Sequence, residues 1–174
     1  MLGAAGAALC LAAGTAVGFA MRQNGRARLM LLQAETDMLG GMRLLLAEER
    51  LSMGGLLARC AALVPVSARP LGERMAQTAK ELERNPLAGV EGAYRAACEA
   101  YPIPWEREEE REQLSALFCR LGTGSAAMRE RAVAACLRRL APTLARAREK
   151  CEQSGRLCVR LGMLLGLTLG IALW

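Results

Sequence analysis

Charge is absent from both ends of this chain and crowded into everything between them. Residues 1–21 and 161–174 hold no Lys, Arg, Asp or Glu, and all 23 basic and 17 acidic residues fall in 22–160. Both ends also carry small residues at every fourth position: Gly6, Cys10, Gly14 and Gly18 at the start, Gly162, Gly166 and Gly170 at the finish. That spacing sets them along one helix face, where small side chains let a neighbouring backbone approach closely inside a bilayer. The pattern predicts a membrane hairpin, with transmembrane helices at 1–21 and 161–174 and a cytoplasmic helical domain at 22–160. Small residues are common in membrane helices in general; the sharper expectation is that these two faces pack on each other or on another membrane protein.

Leu2–Met21 is twenty residues long, about 30 Å as a helix, which matches the hydrocarbon thickness. Arg22, Arg26 and Arg28 follow it, whereas a secretory signal places its positive charge before the apolar run. The positive-inside rule then puts Arg22 in the cytoplasm. Leu161–Trp174 has only fourteen residues, about 21 Å, a length shared with interfacial and re-entrant helices. Extending it back through Leu157, Cys158 and Val159 requires Arg160 to reach for the cytoplasmic headgroups. With Arg156 and Arg160 inside and Trp174 at the outer interface, both termini lie outside and the middle inside.

The net charge of +6 is unevenly placed: 129–160 holds nine basic residues against three acidic ones, while 22–128 balances. A basic segment running into an apolar terminus favours contact with anionic headgroups and membrane-proximal docking over residues 129–160. Nucleic-acid binding is the weaker reading, because no aromatic stacking residues interleave these charges. The chain has no His, so the commonest general base and metal ligand are missing. The seven cysteines form no CxxC pair, and at apolar helix positions a reduced Cys packs as a small hydrophobe. We expect no metal, no cofactor, no small-molecule substrate and no enzyme activity.

Abundant Ala, Leu, Arg, Glu and Met with only two each of Trp, Tyr and Phe predict an all-α fold, a bundle of about six helices. Pro and Gly punctuate the expected helices as Arg26–Glu49 with a bend near Gly40-Gly41, Ser52-capped 53–63, Leu71–Arg84, Leu87–Ala100, Trp105–Leu121, and a last helix capped by Ser125. That last helix carries an apolar stripe of Val133, Cys136, Leu140, Leu144, Ala147, Cys151 and Cys158, with Pro142 set to kink it. Glu106-Arg107-Glu108-Glu109-Glu110-Arg111-Glu112 reads as a solvated face before it reads as a docking site. Glu35 and Asp37, two apart, do not share a helix face.

The order of segments resembles the stage III sporulation protein AB family over essentially the whole chain. Met1-Leu2 opens an apolar span that closes with Val17-Gly18-Phe19 and basic residues; Leu121-Gly122 follows an acidic helix; a charged helix leads into Leu161-Gly162-Met163-Leu164-Leu165-Gly166-Leu167. The chain departs from the family pattern at Met42–Met53, where Arg43 and Leu45 stand near expected acids and Ser52-Met53 near a Thr-Pro-Leu turn. It departs again at Ser125 and Glu130, where the family favours Asp and Gln. The resemblance implies a bundle like one cytoplasmic domain of the F-type platform proteins of type II secretion and type IV pilus systems. It also implies a place in the mother-cell-derived membrane around the forespore, as a platform coupling a secretion-type ATPase (stage III sporulation protein AA-like) to other stage III sporulation membrane proteins. The alternatives are a basic lipid-binding membrane scaffold without an ATPase partner and a pilus or type II secretion platform protein.

Overall fold

The computed structural model describes the backbone of residues 2–48 and 51–172, and the side chains of residues 20, 23–47 and 51–153. The described residues form α-helices joined by short connectors, with no strand among them: α1 (Leu2–Glu48), α2 (Met53–Leu63), α3 (Arg69–Arg84), α4 (Gly89–Ala100), α5 (Glu108–Thr123) and α6 (Ala126–Ala172). Short 3₁₀ turns at Val66–Ala68 and Pro86–Ala88 precede α3 and α4. The chain divides into two compact units, one of Met1–Leu29 with Ala145–Trp174 and one of Met30–Leu144. Apart from Ala20, the apolar ends 1–21 and 161–174, on which the two transmembrane spans were expected, lie outside the residues whose side chains are described. Among the described residues no helix is long and apolar enough to cross a membrane.

Within Met30–Leu144 each helix turns an apolar face inward. Leu32, Met38, Leu39 and Met42 of α1 are fully buried, as are Leu57 and Cys60 of α2, Leu71 and Met75 of α3, and Leu114, Phe118 and Leu121 of α5. Val133, Cys136 and Leu140 supply the α6 side, the three-four spacing of a helix stripe. Each buried large aliphatic side chain contributes roughly 1.5–3 kcal/mol. An aromatic pair, Tyr94 on Phe118 at 4.4 Å between centroids and 35° between planes, joins α4 to α5. Along the expected α6 stripe, Val133, Cys136, Leu140 and Ala147 are buried, Leu144 and Cys151 half-buried, and Cys158 lies outside the described side chains.

Several boundaries move from their expected places for identifiable reasons. Helix α1 runs unbroken through Gly40-Gly41; a side chain added at Gly41 would run into the Leu63 side chain, so this glycine serves close approach of α2 rather than a break in α1. Helix α3 begins two residues before the expected Leu71, with Pro70 in its first turn, where its missing N–H is not needed. Helix α4 begins at Gly89 rather than Leu87, because Pro86–Ala88 closes a 3₁₀ turn and Gly89 takes φ +67°, a conformation that favours glycine. Helix α5 starts three residues after Trp105 and is stapled by the Glu110 carboxylate accepting from the Arg107 N–H at 3.1 Å. Ser52 caps α2 as expected, its Oγ accepting from the Gly55 N–H at 3.2 Å. Helix α6 continues through Pro142 to Ala172.

Candidate functional site

Among the charged side chains of the Met30–Leu144 unit, Glu35, Arg74 and Glu110 are buried. Arg74, on α3, is held by the connector between α4 and α5. One guanidinium nitrogen donates to both oxygens of Glu106, at 2.6 and 2.8 Å, and the other two donate to the Tyr101 carbonyl at 3.3 and 3.1 Å. The two side chains are 1 % and 5 % exposed, and the contacts hold the Arg74 guanidinium more firmly charged than usual despite its burial. A buried pair with these extra hydrogen bonds tolerates loss of either partner poorly. The pair pins the α4–α5 connector against α3. Glu106 is therefore no part of a solvated face, and Glu110 is buried too; only Glu108, Glu109 and Glu112 of the acidic run face water.

Beside this anchor, a cleft of about 470 Å³ opens between α4 and α5, lined by Tyr94, Arg95, Cys98, Glu99, Arg111 and Glu112 among others. Its arginines are already matched within their own helices, Arg95 with Glu91 at 2.9 Å and Arg111 with Glu108 at 3.2 Å. Burial pushes both the Cys98 thiol and the Tyr94 hydroxyl upward, so each stays protonated and a poor nucleophile at neutral pH.

Between α5 and α6 runs a second recess, about 40 Å³, lined by Gln113, Ala116, Leu117, Arg120, Ala132, Ala135, Cys136 and Arg139. On its inner side Glu35 of α1 is fully buried, and its charge adds to desolvation in raising the Cys136 thiol to about 11. Asp37 is exposed, so the two carboxylates do lie on different faces of α1.

The expected site residues fare as follows. Gly6, Cys10, Gly14, Gly18, Gly162, Gly166 and Gly170 lie outside the described side chains, as do Arg22, Arg156 and Arg160. Arg26 is exposed and Arg28 half-buried. On α6, Arg131, Arg138, Arg139, Arg146, Arg148 and Lys150 are exposed, a basic outer surface on the segment expected to carry one. Cys60, Cys98, Cys119, Cys136 and Cys151 are free thiols. Among the described residues no three His, Cys, Asp or Glu side chains gather as metal ligands. The Arg74–Glu106 pair and the two recesses escaped sequence reasoning, because each joins residues from separate helices whose spacing carries no shared period.

The sequence pattern of the stage III sporulation protein AB family matches residues 3–174. No curated protein matches, and no solved structure matches.

Proposed function

We propose that this chain, which belongs to the stage III sporulation protein AB family, is a noncatalytic membrane platform in the secretion-like channel complex between mother cell and forespore. The observation that carries the reading is the extent of the family match, residues 3–174, which takes in both charge-free ends and the helical middle. In this role the ends 1–21 and 161–174 anchor the protein in the mother-cell-derived membrane around the forespore, through the glycine faces at Gly6–Gly18 and Gly162–Gly170. The domain at 22–160 lies in the cytoplasm and couples a secretion-type ATPase of the stage III sporulation protein AA kind to other stage III membrane proteins.

Two features of the chain support a scaffold rather than a reaction centre. The chain has no His, and the buried Arg74–Glu106 pair is consumed in holding a connector. The nine basic and three acidic residues of 129–160 also favour a second reading, a lipid-binding scaffold with no ATPase partner.

The membrane half of the proposal is tested by alkaline carbonate extraction combined with thiol labelling at the exposed Cys119. The protein stays in the membrane pellet, and an impermeant maleimide reaches Cys119 only after the membrane is opened. Release into the supernatant, or labelling through an intact membrane, contradicts the two-span arrangement.

A further inference from the structure

We infer that α6 hinges at Pro142, so that the bundle of Met30–Leu144 changes its tilt while the ends of the chain stay anchored. The bending itself needs no membrane; only its purpose rests on the anchoring proposed above.

Register places the hinge. Arg43 of α1 meets Glu130 of α6 at 3.1 Å, and Glu35, earlier on α1, acts on Cys136, later on α6. The two helices therefore run antiparallel here. Six residues on from Cys136 and six back from Glu35 lie Pro142 and Leu29. That is also the level at which the bundle ends, for its unit begins at Met30 and closes at Leu144. Helices α2 to α5 lie wholly within it, and past this level only α1 and α6 continue. A bundle resists bending across its whole width, whereas a helix that leaves it is only as stiff as its own hydrogen-bond ladder.

Both ladders are weakened there. Pro142 has no N–H for the Arg138 carbonyl, and its ring crowds that carbonyl aside, which opens α6 on one side. On α1, Gly25 stands one turn before Leu29 with nothing within 4 Å of the place a Cβ would occupy. No close approach demands a glycine at this position, and it costs the helix about 0.5–1 kcal/mol relative to Ala.

The proline is also unbraced on its outer side. Ala141 and Pro142 are exposed, and Met30, at the same level on α1, is 48 % exposed. Leu140 is fully buried on the inner side, so packing holds α6 from one face as far as Pro142 and leaves the other to water. A proline gripped on all sides sets a fixed kink; one that faces water leaves the angle free to follow a load. In the platform role, such a joint lets the bundle follow a motor's movement without dragging the anchors.

The test measures distance distributions by pulsed electron paramagnetic resonance on the full-length chain in detergent. Nitroxides are attached through p-acetylphenylalanine, which leaves the cysteines untouched. Labels at Glu109 and Gln153 span Pro142, while labels at Glu83 and Glu109 lie inside the bundle; all three positions are exposed. The expected distribution across Pro142 is about twice as wide as the one inside the bundle. Pro142→Ala narrows the first toward the second and leaves the second unchanged, which shows that the bundle stays folded. Hydrogen exchange gives an independent reading, with the amides of residues 143–146 slowing about tenfold in Pro142→Ala. A distribution across Pro142 as narrow as the one inside the bundle means a fixed kink and overturns the proposal. So does a width, or an exchange rate at 143–146, that Pro142→Ala does not change. Release of the protein by carbonate extraction, by contrast, removes the anchoring and leaves the hinge standing.

Discussion

Arg74 and Glu106, thirty-two positions apart in the chain, meet at 2.6 Å inside the bundle with almost no exposure to water. The contact ties the connector between α4 and α5 to the first half of α3, and the Tyr101 carbonyl completes it at 3.1 Å. Arg74→Ala leaves the Glu106 carboxylate buried without its cation, and the expected loss is about 3–5 kcal/mol. Arg74→Met with Glu106→Leu removes both charges and recovers most of that loss. Urea unfolding of the detergent-solubilised chain, followed by circular dichroism, measures both; a loss below about 1 kcal/mol for Arg74→Ala contradicts the anchoring role.

Alkaline stability is set in part by the Cys60 thiol, which burial pushes up from 9.0 to about 12. The unfolded chain releases this proton above about pH 9 while the folded chain keeps it, so unfolding gains ground as pH rises. The stabilising contribution is whole below pH 9 and falls between 9 and 12, by about 1.4 kcal/mol for each pH unit. Cys136, raised to about 11 by burial and then by Glu35, adds to the decline over the lower part of that range. Denaturation midpoints measured from pH 8 to 11 should fall steeply for the natural chain and less steeply for Cys60→Ala, whatever that variant loses in packing at neutral pH.

Gly89 opens α4 at φ +67° with nothing within 4 Å of the place a Cβ would occupy. Its requirement is conformational rather than spatial. Gly89→Ala should therefore destabilise the bundle by about 1–3 kcal/mol, and Gly89→Asn by a similar amount, since φ +67° with ψ 178° lies outside the left-handed helical region that Asn tolerates. Equal stability of the Ala variant and the natural chain in thermal unfolding contradicts this.

In the proposed membrane anchors, Gly166→Leu adds bulk to the face formed with Gly162 and Gly170. The expected result is weaker crosslinking to neighbouring membrane proteins with the bundle still folded, because close backbone approach in lipid depends on small residues. Unchanged crosslinking assigns those glycines to general membrane composition instead.

Much of the helical layout was legible in the sequence, because caps and breakers act locally. Ser52 caps α2 from the position its side chain implies, and Val133, Cys136 and Leu140 face inward as their spacing dictates. What stayed hidden is long-range. Within the run 106–112, local periodicity does not reveal that Glu106 turns in to meet a residue on α3 while Glu109 stays in water. Gly41 looks like a helix breaker until Leu63 is seen against it. The recess between α5 and α6 brings Gln113 and Arg120 of one helix beside Cys136 and Arg139 of the other, a pairing that no spacing in one dimension announces.

The platform reading is tested most directly by affinity purification of the intact protein from membranes of sporulating cells, with gentle crosslinking before solubilisation and mass spectrometry of the bound fraction. Recovery of the secretion-type ATPase together with neighbouring stage III membrane proteins, crosslinked to residues within 22–160, is the predicted result. Recovery of the chain at good yield with lipid alone contradicts it and leaves a membrane scaffold that has no motor to couple.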